Sequence, residues 1–373
     1  MLSRRFALPL AALAAFALHA QDLPRPFSKR LIAFYGSWSK YNTPPYTAAQ
    51  IPYHKLTHII HAGINLNEPA DGSFTIPASG FLEPELLRNA HAAGVKVLFY
   101  VGANDGNDYS IVTASAQYRQ TFIRDLKRVI SRYGYDGLDI DWEYPNGPAD
   151  FKNFVTFMKE IRAAFPSPEF LLSTDIPNYP SSGVDFDHLK LYVSWFNIMM
   201  YDCAGPWTSE VQMNSPIFSD PANPDPQGSV DQAATDFTAI YHVPPEQLNM
   251  GTPFYGYDYT GDKELYQICD PCTDETVPSL NYAQIEPLLN KQGWVRRWDH
   301  VQDVPYLVRA DGSNGFITYD DPESTYLRIY YADWTRGLGG AFMWELSADY
   351  NGHSQPLLEA MYAATIGARR NVH

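Results

Sequence analysis

Cysteine is scarce in this chain: 373 residues hold three, Cys203, Cys269 and Cys272. So few rule out a disulfide framework. The Cys269-Asp-Pro-Cys272 pair has the spacing of a redox motif or a zinc half-site, yet no second pair exists to complete a zinc site. A short-loop disulfide is the preferred reading, with Cys203 left as a buried thiol. Positive charge is also in short supply. Lys and Arg number 27 against 42 Asp and Glu, and the net charge of −15 argues against nucleic acid and anionic membrane surfaces as partners. Charged residues reach only 18% beside 45% apolar ones, the balance of a well-cored globular protein. Neither an internal repeat nor a low-complexity linker is visible. Beyond the first twenty residues, no apolar run is long enough to cross a bilayer.

Those first twenty residues have the layout of an export signal. Arg4 and Arg5 precede an apolar run over 6–18, and small residues follow near Ala20. The run is too short for a permanent anchor. The mature chain is therefore expected to begin near Gln21 and to be soluble and secreted, in an extracellular or periplasmic space. Aromatic residues are plentiful, with 26 Tyr and 8 Trp. That suits stacking on sugar rings, although composition alone favours a tyrosine-rich core.

Short β-branched or aromatic runs at 31–36, 57–64, 95–101, 138–142, 170–175, 193–200, 248–253 and 340–344 read as strands. Amphipathic helical stretches lie between them. Over 117–133, Phe122, Leu126, Val129, Ile130 and Tyr133 share one face, and over 150–165 Phe151, Phe154, Val155, Met158, Ile161 and Phe165 do the same. Eight strands alternating with helices predict an α/β fold, a (β/α)8 TIM barrel spanning 28–370. The rhythm breaks over 257–321, which reads as a small α+β insertion between strands seven and eight. Residues 209–229, rich in Pro, Asn, Asp and Ser, read as a surface loop.

From Asp136 to Pro145 the chain runs Asp-Gly-Leu-Asp-Ile-Asp-Trp-Glu-Tyr-Pro, four carboxylates within eight residues. In a strand the period of two puts Asp139, Asp141 and Glu143 on one face, with Leu138, Ile140 and Trp142 on the other. Stacking like charges is costly unless protons are shared and pKa values pushed apart. A calcium site would instead need a glycine-rich loop of oxygen ligands around one centre. The row suits a site that gives and takes protons at a sugar bond. Catalytic residues of a TIM barrel sit at the C-terminal strand ends, so Glu143, last in the row, is the expected proton donor. Asp136 has the opposite parity and reads as structural.

This run resembles the signature Asp-x-x-Asp-x-Asp-x-Glu of family 18 glycoside hydrolases, the chitinase family, with Asp136, Asp139, Asp141 and Glu143 filling it. Met200-Tyr-Asp202 is similar to the family's strand-six region in its Tyr-Asp pair, and Ala204-Gly-Pro-Trp207 continues it. Gly251-Thr-Pro-Phe-Tyr-Gly256, Phe316-Ile-Thr-Tyr-Asp-Asp-Pro322 and Gly337-Leu-Gly-Gly-Ala-Phe-Met-Trp344 resemble the segments at strands seven and eight. The resemblance implies a chitinase that cleaves β-1,4 bonds between N-acetylglucosamine units with retention. The substrate's own acetamido group would act as nucleophile, with no metal and no cofactor. It further implies that Asp141 orients the acetamido N–H and that Tyr201 holds the acetamido oxygen. Asp202 and Met200 would help bind the same sugar. Trp344 would floor the distorted ring, and Trp207 would stack a sugar on the leaving-group side. The expected partner is chitin or another N-acetylglucosamine oligosaccharide, taken by a monomer.

The chain departs from the family on strand three, where Tyr100-Val-Gly-Ala-Asn104 replaces Ser-x-Gly-Gly-Trp. On strand two, Ala62-Gly63 stands where an aromatic is common. Tyr35 on strand one does match, and is expected to supply part of the missing hydrogen bonding. An endo-β-N-acetylglucosaminidase or a peptidoglycan hydrolase of the same family would share the mechanism. A non-catalytic chitin-binding lectin would usually lack the acid, whereas Glu143 is intact.

Overall fold

The computed structural model describes residues 27–103, 106–179, 183–291 and 293–367. The signal expected over 1–20 and Asn104 of the strand-three motif lie outside the described residues. Eight strands close a parallel barrel: β1 (Arg30–Gly36), β2 (His58–Ala62), β3 (Lys96–Val101), β4 (Gly137–Ile140), β5 (Leu171–Pro177), β6 (Trp195–Met199), β7 (Leu248–Pro253) and β13 (Gly340–Trp344). Neighbours follow sequence order, and β13 closes the ring between β7 and β1. The expected TIM barrel is observed, with each strand found where β-branched and aromatic residues cluster. No helix among the described residues is long and apolar enough to cross a membrane.

The helices between strands form for local reasons. In Ala116–Tyr133 the Ser115 side chain accepts from the Tyr118 N–H at one end, and Gly134 takes φ 80° at the other. Its buried face carries Phe122, Ile123, Leu126 and Val129. Gly147–Ala164 starts with Pro148 in its first turn and buries Phe154, Phe157, Met158 and Ile161. These faces pack on the outward residues of the strands, among them Leu138, Ile140 and Trp142 of the acidic row. The inward residues form a separate, smaller apolar cluster that includes Phe34, Leu98, Tyr100, Tyr201 and Phe342.

Register sets the polar inward positions side by side. Asp139 on β4 pairs with Tyr100 on β3 and with Ser173 on β5. Two residues further along β5, Asp175 pairs with Asn197 on β6, which in turn pairs with Asn249 on β7.

Between β7 and β13 lies a five-stranded antiparallel sheet: β8 (Tyr255–Tyr259), β9 (Ser279–Asn281), β10 (Trp294–Asp299), β11 (Val304–Arg309) and β12 (Phe316–Thr318), in the order β10-β11-β12-β8-β9. Strand β8 leaves the barrel only one residue after β7 ends. Cys269 and Cys272 form a disulfide, and Cys203 is a buried thiol whose pKa burial pushes up to about 12. The segment 209–229 is irregular, as its composition suggests, but much of it is not at the surface. Val211, Gln212, Met213, Asn214 and Ser215 are buried, because the Asn214 N–H donates to Thr318 Oγ1 of β12 at 2.7 Å and draws the loop under the antiparallel sheet.

Candidate active site

The C-terminal ends of the barrel strands open into a cleft of about 480 Å³. Its lining includes Asp141, Glu143, Asp175 and Asp202, with Phe34, Met199, Tyr201, Tyr255 and Trp344 among the apolar and aromatic walls. Among the described residues that line it there is no lysine, arginine or histidine.

The acids form a graded row from the barrel core to open water. Asp139 is fully buried and takes the Ser173 hydroxyl on Oδ1, together with Asn197 Nδ2 at 3.3 Å. Burial raises its pKa to about 6, against the pull of its bonds with Ser173 and Asp175. Asp141 comes next, with its Oδ2 accepting from Tyr100 Oη at 2.7 Å. Burial first, then the negative charge of Glu143, push its pKa well above the ordinary value. Glu143 stands at the open end. The cleft walls, then the charge of Asp202, raise its pKa, while the bond from Tyr144 works the other way. A carboxyl so placed can hold a proton at the pH where an exposed glutamate has lost it.

Asp202 sits across the cleft at a left-handed φ of 59°, a conformation Asp tolerates better than most residues. Its own N–H donates to Asn214 Oδ1 at 2.8 Å, which holds the bend. On Oδ1 it accepts from two tyrosines of β8, Tyr255 at 2.6 Å and Tyr257 at 2.8 Å. Dehydration by the cleft walls raises its pKa, and the two hydroxyls oppose the rise. Tyr201 faces inward, with its ring edge-on to Tyr255 and Phe342. Trp344 lies at the end of β13, tilted against Phe34 at 5.4 Å and Trp38 at 6.2 Å. Trp207 is 57% exposed on the rim, edge-on to Tyr257 at 5.5 Å and outside the lining of the cavity.

The site thus brings together Asp139, Asp141, Glu143, Tyr201, Asp202 and Trp344. Of the other three expected residues, Trp207 stays on the rim outside the cavity, and two are absent from the site altogether. Tyr35 is directed into the outer core, where it donates to Glu83 Oε1 at 2.6 Å and stacks on His61. Met200 is fully buried in the same outer core. The period of two explains both corrections: the inward positions are Phe34 and Met199. Asp136 bonds His91, Lys96 and the Val97 N–H, which hold its pKa down although burial pulls the other way. Sequence reasoning missed Ser173, Asp175, Asn197, Met199, Tyr255 and Tyr257. For Ser173 and Asp175 a signal existed, since two polar residues two apart in a barrel strand share one face.

The family model for glycosyl hydrolases family 18 matches residues 30–349. The chain belongs to that family. It is a glycoside hydrolase with chitinases among its relatives. It is 30% identical to a class V chitinase of Arabidopsis thaliana over 84% of this chain and 86% of the relative. It is 27% identical to chitinase A1 of Niallia circulans over 93% of this chain, which spans only 60% of that relative's length. Among solved structures, the Group IV chitinase of Ostrinia furnacalis in complex with allosamidin superposes with TM-score 0.78 at 26% identity, covering 91% of this chain and 99% of that one.

Proposed function

We propose that this family 18 enzyme is a secreted chitinase, cutting β-1,4 bonds between N-acetylglucosamine units with the substrate's acetamido group as nucleophile. The observation that carries the reading is Glu143. It is the open end of a buried acid row, raised in pKa, in a cleft walled by Tyr201, Tyr255 and Trp344.

In the first step the acetamido carbonyl oxygen bonds to the anomeric carbon. The bond from that carbon to the leaving oxygen breaks, and the Glu143 proton passes to the leaving oxygen. Asp141 accepts the acetamido N–H and balances the positive ring that forms. Tyr201 steadies the acetamido oxygen, and Asp202, held by Tyr255 and Tyr257, bonds the same sugar. Trp344 supplies an apolar floor for the distorted ring. In the second step Glu143, now a carboxylate, takes a proton from water as the water oxygen attacks the same carbon, the bond from that carbon to the acetamido oxygen breaks, and the configuration is retained. Trp207 offers an exposed ring for a further sugar. Every group named comes from one chain, so a monomer suffices. Secretion is supported by the basic and apolar pattern of residues 4–18.

The test is Glu143→Gln with chitohexaose and anomer-resolved product analysis. Wild type should release the β-anomer first, and the variant should lose at least about a hundredfold in kcat while still binding the oligosaccharide. Binding without cleavage by the wild type would make the protein a lectin. Release of glycans from glycoproteins with no action on chitohexaose would move the substrate to N-linked glycans.

A further inference from the structure

Asp175 has no part in the mechanism above, yet it lies against the acid row and reaches the cleft. It sits on β5, two residues beyond Ser173 on the same inward face, and is 5% exposed. Asn197 Nδ2 bridges it to the row, donating to Asp175 Oδ1 at 3.0 Å and to Asp139 Oδ1 at 3.3 Å. Asp139 and Asp175 are also within hydrogen-bonding reach of each other. Asp139, Asp141, Glu143 and Asp175 thus make a four-carboxyl cluster.

The donors that the described residues place around this cluster can be named. From β5 comes the Ser173 hydroxyl, from β3 the Tyr100 hydroxyl, from β6 the Asn197 amide, and beyond β4 the Tyr144 hydroxyl, bonded to Glu143. The hydroxyl of Tyr201 beyond β6 and that of Tyr109 face the same charges from further off. None is a cation. After these bonds, Asp139 Oδ2 and Asp141 Oδ1 are still buried without a donor. A buried carboxylate oxygen lacking a donor is costly, and four unneutralised charges at this spacing more so. The remaining donors within the cluster are the carboxyl O–H groups themselves.

We propose that Asp175 is a positioning residue for the acid catalyst, holding a proton that it donates as a hydrogen bond to Asp139. Asp139 then stays anionic, and a second proton is left to Asp141 and Glu143, where the glycosidic oxygen can receive it. The direction agrees with electrostatics: burial, then the charges of Asp139 and Asp141, push the Asp175 pKa well above its ordinary value, while Asp139 rises only to about 6. The kinetic role rests on the proposed chitinase reading; the proton's location does not.

Asp175→Val removes both proton and donor, whereas Asp175→Asn restores a neutral donor of the same shape. In the valine variant Asp139 keeps the Ser173 and Asn197 bonds but loses the donor from Asp175, and takes up a proton itself. It then no longer adds negative charge near Glu143, whose pKa falls. We expect kcat on chitohexaose to drop roughly tenfold, with KM within about threefold, and the basic limb of the pH profile to move to lower pH. The asparagine variant should recover most of kcat and bring the limb back toward wild type. An asparagine variant as impaired as the valine one, or a valine variant with an unmoved limb, overturns the proposal. Infrared spectra of the free proteins at neutral pH read the proton without substrate: a protonated-carboxyl band present in wild type should vanish in Asp175→Asn. Persistence of every such band overturns the proposal, whatever the substrate. A wild type inactive on chitohexaose overturns the functional reading alone.

Discussion

Tyr100 and Tyr35 are both strand tyrosines with a hydroxyl bonded to a carboxylate, and they project from opposite faces of the barrel wall. Tyr100 faces in and donates to Asp141; Tyr35 faces out and donates to Glu83. Replacing each by phenylalanine removes one hydroxyl and nothing else. In Tyr100→Phe, Asp141 loses the bond that favours its anionic form, so it keeps its proton and passes less of it to Glu143. Turnover should fall about tenfold with KM little changed. Tyr35→Phe should instead cost about 1 kcal/mol of stability, read as a lower Tm, with kcat as in wild type. If Tyr35→Phe is the variant that slows turnover, the assignment of the two faces is wrong. At this scale the sequence is legible only as far as parity is known. The acidic row declares its own parity through the apolar residues threaded between the acids. In an all-apolar run such as 31–36 both faces of the strand are buried, no alternation marks the inner wall, and Tyr35 and Met200 fell one residue out of phase.

The elements of the barrel were readable because each must bury both faces, which forces short runs rich in β-branched and aromatic residues between amphipathic helices. What those elements do for one another was less readable. Strand β8 belongs to the antiparallel sheet, yet its Tyr255 and Tyr257 alternate toward the barrel and clamp Asp202. The loop 209–229 looked solvent-loving by composition, but its Asn214 fixes the Asp202 backbone. Both are contacts across long sequence separations, and no local period reports them. Tyr257→Phe tests the clamp. Asp202 would keep only the Tyr255 bond, its pKa would rise further, and its carboxylate would be less well aimed. KM for chitohexaose should increase several-fold, with a smaller change in kcat, because a contact made alike in ground and transition states is lost. A loss confined to kcat would place Asp202 in the chemical step instead.

Across the whole molecule, buried acids both at the cleft and away from it set how stability depends on pH. Asp139, Asp349 and Asp333 are pushed by burial up to about 6, 7 and 8. Each carboxyl is neutral in both folded and unfolded chains below about pH 4. Above that, the unfolded chain releases the proton while the folded one retains it until its own higher pKa, so stability falls as pH rises across the interval. Carboxylates with lowered pKa, such as Asp136, act on the other side, losing their contribution only as pH falls below the ordinary range. Thermal stability should therefore be greatest on the acid side of neutrality and decline toward pH 8. Asp333 isolates the effect because it is far from the cleft in role: among the described residues both oxygens are buried without a hydrogen-bond donor, and Lys29 and Arg30, at the start of β1, offset its charge. Asp333→Asn never ionises. Its Tm should lie close to that of wild type near pH 4, rise above it progressively up to about pH 8, and hold a constant lead beyond. Two Tm curves running parallel over that whole range would mean that Asp333 is already ionised in the folded protein, and that Lys29 and Arg30 meet its charge in full.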